Sequence, residues 1–407
     1  MKQAVAAAQA ASQLLSITEA QRTSALANIA DQLRVQLTEI LSANHKDIQS
    51  ARDSGLTSAM IDRLTLTESR ILDMAESVSA IANQDAVVGI TESSITTDDG
   101  LVIAKQRVPI GVLAMIFESR PNVVIDCSAL AIKSGNAMIL KGGKEAAHSN
   151  RKLYEVIQTA IAGILPAESI QLLEHREDVA ELLSQGDYID LIIPRGGQGL
   201  VSYVEANAKM PVLAHHKGLC HMYIHHSADQ SVLSDMVLNA KAQRPGVCNA
   251  LETLLIDKRL PQSVTDNILN DVMAAGVSVR LDPEAQSLAG TMPASEDDWD
   301  IEYLDLILAV KMVDDVQQAC AHINRHGSRH TESIIAEDED AIAYFQGHVD
   351  ASAVMVNAST RFNDGGQFQL GAELGISTTK LHAYGPMGAK EMTICRHLVT
   401  GKGHIRH

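Results

Sequence analysis

The chain has 407 residues, 46% hydrophobic and 20% charged, and its formal net charge is −17. This composition is that of an ordinary globular protein, and the length predicts two or three structural units. The negative charge argues against a nucleic-acid or membrane surface, so an anionic substrate would need a local basic pocket. Scattered cysteines, and the lack of a signal peptide or a membrane-length apolar run, predict a cytoplasmic protein with free thiols.

The N-terminal part of the chain begins with helical patterns and then changes to β-type patterns. Residues 1 to about 85 carry apolar residues at helical spacing, with capping-box patterns at 16–19 and 65–68. In the segment 87–108, polar and apolar residues alternate in short runs. Such alternation predicts an exposed antiparallel hairpin or arm.

From Gly111 onwards, predicted strands alternate with predicted helices. The first set of strands covers 111–117, 136–141, 169–174, 188–194 and 210–215. A second set begins near His221 and includes 301–313 and 353–357. This alternation predicts an α/β fold with two doubly wound units, in which ligands bind beyond the carboxyl ends of the strands.

The segment 215–218 separates the two predicted sets of strands, so we place a domain boundary there. The tail after Cys395 is short, alternates in polarity and ends with basic residues, which predicts a strand added to another part of the fold. The predicted domains are 1–218, 219–385 and 386–407.

Cys248 lies in the stretch Gln243-Arg-Pro-Gly-Val-Cys-Asn-Ala-Leu251. Pro245 and Gly246 end a helical pattern, so the thiol is predicted on a turn between a helix and a strand. A thiolate there could act as a nucleophile, with Arg244 as a source of positive charge. A buried structural cysteine fits these residues equally well.

Two polar stretches follow predicted strands of the first set. After the first strand, Arg120 could bind a carboxylate or phosphate, and the Asn122 amide could donate to an oxyanion. The alternative is a solvated turn around Pro121. In Lys141-Gly-Gly-Lys144, lysines flank a glycine pair that could approach phosphates or ribose hydroxyls, although the bare pattern favours a solvated lysine turn.

Two further glycine-containing stretches follow strands. Pro194-Arg-Gly-Gly-Gln-Gly199 precedes a helical pattern, and this order of strand, glycines and helix favours phosphate binding over a simple turn. The segment 357–366 offers hydroxyls, Arg361 and a flexible glycine pair, which suit a substrate loop. An ordinary surface loop is its alternative reading.

Several histidines cluster between residues 215 and 226. His221 and His225 share a strand face, so a metal pair is conceivable. No carboxylate or cysteine completes a familiar zinc spacing, and hydrogen-bonding or surface histidines are favoured. We therefore predict no metal.

Together these stretches resemble the aldehyde dehydrogenase superfamily and, within it, the gamma-glutamyl phosphate reductase family. The similarity extends over essentially the whole chain, and the motifs keep their order. The matching motifs are VPIGVLAMIFESRPNV, SGNAMILKGGKEA, IPRGGQGL, QRPGVCNALETLLID, EYLDLILAVK and FNDGGQFQLGAELGISTTKLHAYGPMG. The resemblance implies an aldehyde-dehydrogenase-like fold with a cofactor-binding domain (1–218), a catalytic domain (219–385) and a β-hairpin oligomerisation arm joined by the C-terminal strand.

The resemblance also implies a reaction and its residues. The family reduces L-glutamyl 5-phosphate with NADPH, through a cysteine thioester, to L-glutamate 5-semialdehyde and phosphate in proline biosynthesis. Cys248 corresponds to the catalytic cysteine, and Asn122 is the candidate oxyanion donor. The implied cofactor contacts are Lys141, Gly142, Lys144, Arg195, Gly196, Gly197 and Glu302. The candidate substrate contacts are Arg120, Arg244, Ser359 and Arg361.

One departure from the wider superfamily is informative. Thioester-hydrolysing members carry a general-base glutamate, whereas the corresponding stretch 213–218 contains no carboxylate and includes the histidine pair His215 and His216, to which we assign no role. A reductase that starts from an acyl phosphate does not need activated water. The β-type arm at 87–108 and the basic tail predict a homo-oligomer, and we expect a functional association with glutamate 5-kinase. Two alternatives remain: a thiol hydrolase or acyltransferase pairing Cys248 with a histidine, and a catalytically silent nucleotide-binding module.

Overall fold

The structure, a computed structural model, describes residues 2–175, 177–214, 217–286 and 288–406. His215 and His216, at the predicted domain boundary, lie outside the described residues. The chain forms two compact units. The first comprises Met1–Ala214, Gln369–Gly375 and Met387–His407, and the second comprises His215–Phe368 and Ile376–Pro386. Within the described ranges, no helix is long and apolar enough to cross a membrane.

Five helices open the first unit. They are α1 (Lys2–Leu14), α2 (Glu19–Val35), α3 (Leu37–Asp53), α4 (Ser58–Leu64) and α5 (Glu68–Asn83). The N-caps lie two residues after the predicted starts, at Thr18 of α2 and Thr67 of α5, and of these two helices only α2 has a capping box. The Thr18 hydroxyl accepts from the Gln21 N–H, and the Gln21 side chain accepts in turn from the Thr18 N–H at 2.9 Å, which satisfies two free donors of the first turn.

A four-stranded parallel sheet forms the centre of the first unit, in the order β5-β4-β3-β6. Its strands are β3 (Val112–Phe117), β4 (Ala137–Lys141), β5 (Ile170–Leu173) and β6 (Leu191–Arg195). The connecting helices are α6 (Val123–Ser134), α7 (Ala147–Ile161), α8 (Asp178–Leu183) and α9 (Gln198–Asn207). The predicted strand at 210–215 is wrong: its described part makes one bridge, Val212 with Ile192, next to Pro211, which has no N–H to donate.

The predicted hairpin arm is present as a separate antiparallel sheet. It consists of β1 (Thr91–Thr96), β2 (Val102–Pro109) and the C-terminal strand β16 (Thr393–Thr400), in the order β1-β2-β16. Every residue of β1 is exposed, as are Ile394, Leu398 and Val399 on β16. The alternating pattern of the sequence thus identified a solvated sheet.

The second unit contains a seven-stranded parallel sheet in the order β10-β9-β11-β8-β7-β12-β13. The strands are β7 (Cys220–Ile224), β8 (Leu251–Asp257), β9 (Ser278–Leu281), β10 (Met292–Pro293), β11 (Ile307–Val313), β12 (Thr331–Ile335) and β13 (Ala353–Val356). The helices are α10 (Leu233–Ala242), α11 (Gln262–Ala274), α12 (Val316–His326) and α13 (Glu339–His348). A small pair, β14 (Ile376–Ser377) and β15 (Gly385–Pro386), is antiparallel.

Short 3₁₀ turns complete the described elements at Lys144–Ala146, Ala167–Ser169, Glu296–Asp300, Thr360–Phe362 and Lys390–Met392. The predicted strand 301–313 begins only at Ile307, because Leu304 adopts φ 53°, a left-handed conformation incompatible with a strand. Residues 301–306 are therefore a loop. Sheets with helical connections of this kind confirm the predicted α/β fold class.

The segment 369–375, which we predicted in the second domain, belongs to the first unit. The Arg195 guanidinium donates to the Leu374 carbonyl at 2.9 Å, and a Cβ on Gly371 would lie 2.7 Å from the Ile81 side chain. The tail also joins the first unit from Met387 onwards, one residue later than predicted. These groupings depend on contacts between residues far apart in the sequence, which local patterns do not reveal.

Candidate active site

Cys248 lies on the turn between α10 and β8, as the sequence predicted, and its residue is half-buried. The Cys220 thiol donates to the Cys248 carbonyl oxygen at 3.2 Å. Gly218 approaches the same peptide so closely that an added Cβ would meet the Cys248 carbonyl oxygen and would lie 2.6 Å from its Cα. The backbone of the candidate nucleophile is therefore fixed by two neighbours on the β7 side.

Asn249 connects the Cys248 turn with the predicted substrate loop. Its amide nitrogen donates to the Asn363 carbonyl at 2.9 Å, and its side-chain oxygen accepts from the Arg361 guanidinium. The Arg361 Nε donates to the Gln243 side chain at 3.1 Å. Asn249 is buried, so its bond to the Asn363 carbonyl is shielded from water. The sequence analysis missed this residue, although an amide beside the nucleophile was a usable signal.

Arg361 carries positive charge near the thiol. Burial lowers the pKa of Arg361, Asp364 opposes that shift, Arg244 adds to it and Cys248 opposes it. Arg361 therefore interacts electrostatically with both Arg244 and Cys248. Ser359, another candidate substrate contact, is buried and caps the 3₁₀ turn of Arg361 by accepting its N–H.

Glu302 lies in the loop before β11. Its Oε1 accepts from the Gly218 N–H at 2.8 Å. Burial raises the pKa of Glu302, and the Gly218 N–H, Lys217 and Lys241 oppose that shift. Gly218 thus touches the candidate nucleophile on one side and the candidate ribose-binding carboxylate on the other.

In the first unit, Lys141 ends β4 and is buried, with its Nζ donating to the Gly142 carbonyl at 2.7 Å. Burial lowers the pKa of Lys141. A Cβ on Gly142 would lie 2.9 Å from the Phe117 ring and would also meet the Asn150 amide. Lys144 is exposed at the start of the following turn. Packing therefore requires a glycine at position 142. Of the two lysines, Lys144 is the one exposed to solvent.

The glycine turn at 196–197 begins α9, with Gly197 as its N-cap. The Gly197 N–H donates to Glu118 Oε2 at 2.9 Å, and a Cβ on Gly196 would meet Glu118 and lie 2.8 Å from Leu200. This carboxylate stands where a phosphate oxygen would accept from the helix terminus. The residues fit a dinucleotide phosphate, because the Gly197 N–H already binds an anionic oxygen and Gly196 leaves no room for a side chain. Arg195 instead binds the Leu374 carbonyl.

Asn122 precedes α6, and its amide nitrogen donates to Asp126 Oδ2 at 2.8 Å. Burial raises the pKa of Asp126 to about 6, against the effect of the Asn122 bond. One amide hydrogen is thereby fixed on the carboxylate, while the second stays available to an acceptor. Arg120 is half-buried in the same turn, and its carbonyl accepts from the Val123 N–H.

We expect the turnover number to fall as the pH decreases through about 6, because protonated Asp126 can donate to the Asn122 carbonyl and turn the amide nitrogen away. The measurement is a pH profile of kcat for the wild type and for Asp126→Asn, which has no titratable group at this position. An acid limb that persists unchanged in Asp126→Asn would assign it to another group.

His221 is a hydrogen-bonding histidine, the reading that the sequence favoured. Its Nδ1 and its backbone N–H both bond Glu332 Oε2, at 2.9 and 2.8 Å. A different group, His225, His226 and Asp257, has ligand atoms within 4.8 Å of one another. It lies at the far end of β8 from Cys248.

Two contacts oppose a metal at that second group. The Arg259 guanidinium already binds both Asp257 oxygens, at 2.9 and 2.7 Å. Ser227 Oγ accepts from the Glu337 and Asp338 N–H groups and therefore donates its own hydrogen to His225 Nδ1. That bond puts the ring hydrogen on Nε2, the nitrogen facing Asp257, so the metal-binding lone pair is not available there.

Known proteins share this fold. Residues 1–297 match the aldehyde dehydrogenase family, and the chain belongs to that family. Its members use a nicotinamide dinucleotide, and the predicted family and fold are confirmed. An acetylating aldehyde dehydrogenase from Geobacillus thermoglucosidasius shares the fold with a TM-score of 0.72 at 17% identity.

More similar proteins group the chain with one set of enzymes inside the family, the gamma-glutamyl phosphate reductases. The chain is 48% identical over 385 residues to that of Desulfatibacillum aliphaticivorans, covering 94% of this chain and 92% of the relative. It is 47% identical to that of Nitratiruptor sp., covering 97% of each. The crystal structure of the Thermotoga maritima enzyme superposes with a TM-score of 0.96 at 40% identity, covering 100% of this chain and 99% of the other.

Proposed function

We propose that this chain reduces L-glutamyl 5-phosphate to L-glutamate 5-semialdehyde and phosphate with NADPH, the second step of proline biosynthesis from glutamate. The observation that carries the proposal is the Cys248 turn, where half-buried Cys248 interacts electrostatically with Arg361. Full-length identity to gamma-glutamyl phosphate reductases supports the substrate. The fold alone would not, because one fold hosts many activities.

In the proposed mechanism, the Cys248 thiolate attacks the acyl carbon of the substrate. The bond from that carbon to the phosphate oxygen breaks, phosphate leaves with its electron pair, and a thioester forms on Cys248. Arg361 and Arg244 are the candidates to neutralise the phosphate and to bind the α-carboxylate. The Cys248 N–H and the Asn122 amide are our candidates to donate to the oxyanion.

A nicotinamide dinucleotide held by the proposed cofactor contacts would supply the hydride that reduces the thioester carbon. The thiohemiacetal oxyanion on Cys248 then collapses, which releases the aldehyde and restores the thiolate. The stretch 213–218, which corresponds to the general-base segment of hydrolytic relatives, contains no carboxylate that could activate water. The thioester is thereby kept for reduction. Lys141, Gly142, Gly196, Gly197 and Glu302 are our proposed cofactor contacts, with Glu302 at the nicotinamide ribose.

Lys144 is our candidate for the phosphate that distinguishes NADPH from NADH, because it is exposed next to the adenine-side lysine Lys141. We expect Lys144→Ala to raise the KM for NADPH about tenfold, since a charge-assisted hydrogen bond contributes about 1.5–3 kcal/mol. The KM for NADH should stay unchanged and serves as the internal control. Equal changes for both cofactors would remove Lys144 from this role.

One assay tests the proposed function against its alternatives. In the reverse direction, glutamate semialdehyde should reduce NADP⁺ only when inorganic phosphate is present. A thiol hydrolase or acyltransferase would release acid or ester without any nicotinamide, and a silent binding module would do neither. Absence of phosphate-dependent NADP⁺ reduction would refute the reductase assignment.

We further propose that the exposed arm sheet binds a second copy of this chain, because β1 and β16 present unpaired edges and exposed apolar side chains. Light scattering on the wild type and on a variant truncated before β16 would measure the mass of the assembly, and a monomeric wild type would contradict the proposal.

We also propose a functional association with glutamate 5-kinase and a cytoplasmic location.

A further inference from the structure

A buried ion pair joins the strand that follows Cys248 to the helix that precedes it. Glu252 lies on β8, four residues after Cys248, and Lys241 lies in the last turn of α10; both side chains are fully buried. The Lys241 Nζ donates to Glu252 Oε2 at 2.7 Å. The proposed reaction uses neither group. Two charges removed from water are costly unless further hydrogen bonds compensate them, so a role for the pair is expected.

The second carboxylate oxygen of Glu252 accepts a hydrogen bond from a strained peptide. Its Oε1 accepts from the Leu304 N–H at 3.2 Å. Leu304 has φ 53°, in the left-handed region that side chains with a Cβ disfavour. Such backbone persists only where the surroundings hold it, and it concentrates at functional sites. Glu252 is the buried group that binds this peptide.

Leu304 is two residues after Glu302, so the same loop carries the proposed ribose-binding carboxylate. Glu302 is bonded to the Gly218 N–H, and Gly218 abuts the Cys248 backbone. Between them, Tyr303 lies with its ring centroid 5.9 Å from the Lys241 Nζ. The 302–304 segment is thus attached at both ends to groups that also hold the Cys248 turn.

We propose that Glu252 is a positioning residue that holds the Leu304 peptide and thereby sets the Glu302 carboxylate for the cofactor ribose. Lys241 favours the ionised form of Glu252 and binds its Oε2, which leaves Oε1 for the loop. This inference rests on the proposed function, because it takes Glu302 as a cofactor contact. It couples the position of the nucleophile to the position of the cofactor through one strand.

The charge of Glu252 changes in an accessible pH range. Burial raises the pKa of Glu252 to about 7, and Lys241 opposes that shift. The other groups that face the pair are Glu302 and Asp305 from the loop and Cys220 from β7. As the pH falls through about 7, the carboxylate takes up a proton and becomes a weaker acceptor for Leu304. The loop should therefore be held more firmly above neutral pH.

The chain has one tryptophan, Trp299, three residues before Glu302 and buried. Its emission in the cofactor-free protein reports on this loop without any activity. We expect a wild-type emission change with a midpoint near pH 7, absent in Glu252→Gln. A transition that persists in Glu252→Gln would belong to another group, such as His322, whose ring lies 5.5 Å from Trp299. That result would overturn the proposal.

Steady-state kinetics distinguish a positioning role of Glu252 from a general loss of folded structure. We expect Glu252→Gln to raise the KM for NADPH about tenfold and to change kcat less than threefold, because the loop is displaced but the nucleophile is retained. Asp257→Asn makes the same chemical change at the opposite end of β8, where the carboxylate binds Tyr223 and Arg259, and it should leave the KM and the emission transition as in the wild type.

A double variant keeps the test decisive if Glu252→Gln folds poorly. The double variant combines Lys241→Met with Glu252→Gln. Because no lysine then competes for the new side-chain amide oxygen, that oxygen can accept from the Leu304 N–H. The KM for NADPH should return to within threefold of the wild type. An unchanged KM in the single variant, or a double variant no better than the single, would overturn the proposal. If the wild type lacks phosphate-dependent activity, the proposed function fails, while the emission comparison still decides whether Glu252 holds the loop.

Discussion

Replacement of Cys248 by alanine is expected to reduce kcat by roughly ten-thousandfold or more, because the proposed bond to the acyl intermediate can no longer form. The structure supports this expectation through the placement of the thiol. Cys248 is half-buried and interacts electrostatically with Arg361, while Cys127, Cys220 and Cys320 are buried. The measurement is phosphate-dependent NADP⁺ reduction, together with mass spectrometry of the protein incubated with acyl phosphate and no cofactor.

The acyl adduct should appear on the peptide that contains Cys248 in the wild type and should be missing in Cys248→Ala. Cys320→Ala is the matched control, since it removes a buried thiol from the core of the same unit and should cost stability but not activity. Activity retained in Cys248→Ala, or an adduct on another cysteine, would remove Cys248 from the proposed mechanism.

Gly218→Ala is expected to lower kcat/KM about a hundredfold, since a displacement of roughly 1 Å at a reacting group can cost that much. The added Cβ would lie 2.5 Å from the carbonyl carbon and 2.6 Å from the Cα of Cys248, and backbone atoms cannot rotate away as a side chain does. The same displacement would move the N–H that binds Glu302. Both the attack on the acyl carbon and the KM for NADPH should therefore change.

Gly347→Ala provides the control for this variant. Gly347 lies near the end of α13, where an added Cβ meets nothing within 4 Å, so the substitution should leave activity unchanged and favour the helix. Circular dichroism establishes that Gly218→Ala is folded before its kinetics are compared. Wild-type kinetics in a folded Gly218→Ala would show that the Cys248 peptide tolerates displacement.

The sequence predicted those features that depend on local patterns. Pro245 and Gly246 place Cys248 on a turn, and alternating polarity in 87–108 identifies the arm, because helix breakers and pleating act over a few residues. The family resemblance then supplied the roles of Glu302 and Lys141, which no spacing rule contains. The strand expected at 210–215 failed because its apolar residues include Pro211, which removes a ladder donor.

Other residues of the site could not be predicted, because their roles depend on contacts across long sequence separations. Asn249 binds the 361–363 segment, and Glu252 binds Leu304. Gly218 reads as an ordinary loop glycine until the fold brings the Cys248 peptide against it. A left-handed leucine is likewise invisible in a stretch whose composition is typical of a strand.

The pairing of β16 with β2 has a consequence for how the protein folds during its synthesis. Thr393–Thr400 closes an antiparallel ladder with Val102–Pro109, and 369–375 also belongs to the first unit. A nascent chain leaves the ribosome N-terminus first, so the first unit stays incomplete until β16 has emerged, whereas most of the second unit is contiguous and can fold earlier. During that interval the β2 edge that later pairs with β16 is open to other chains.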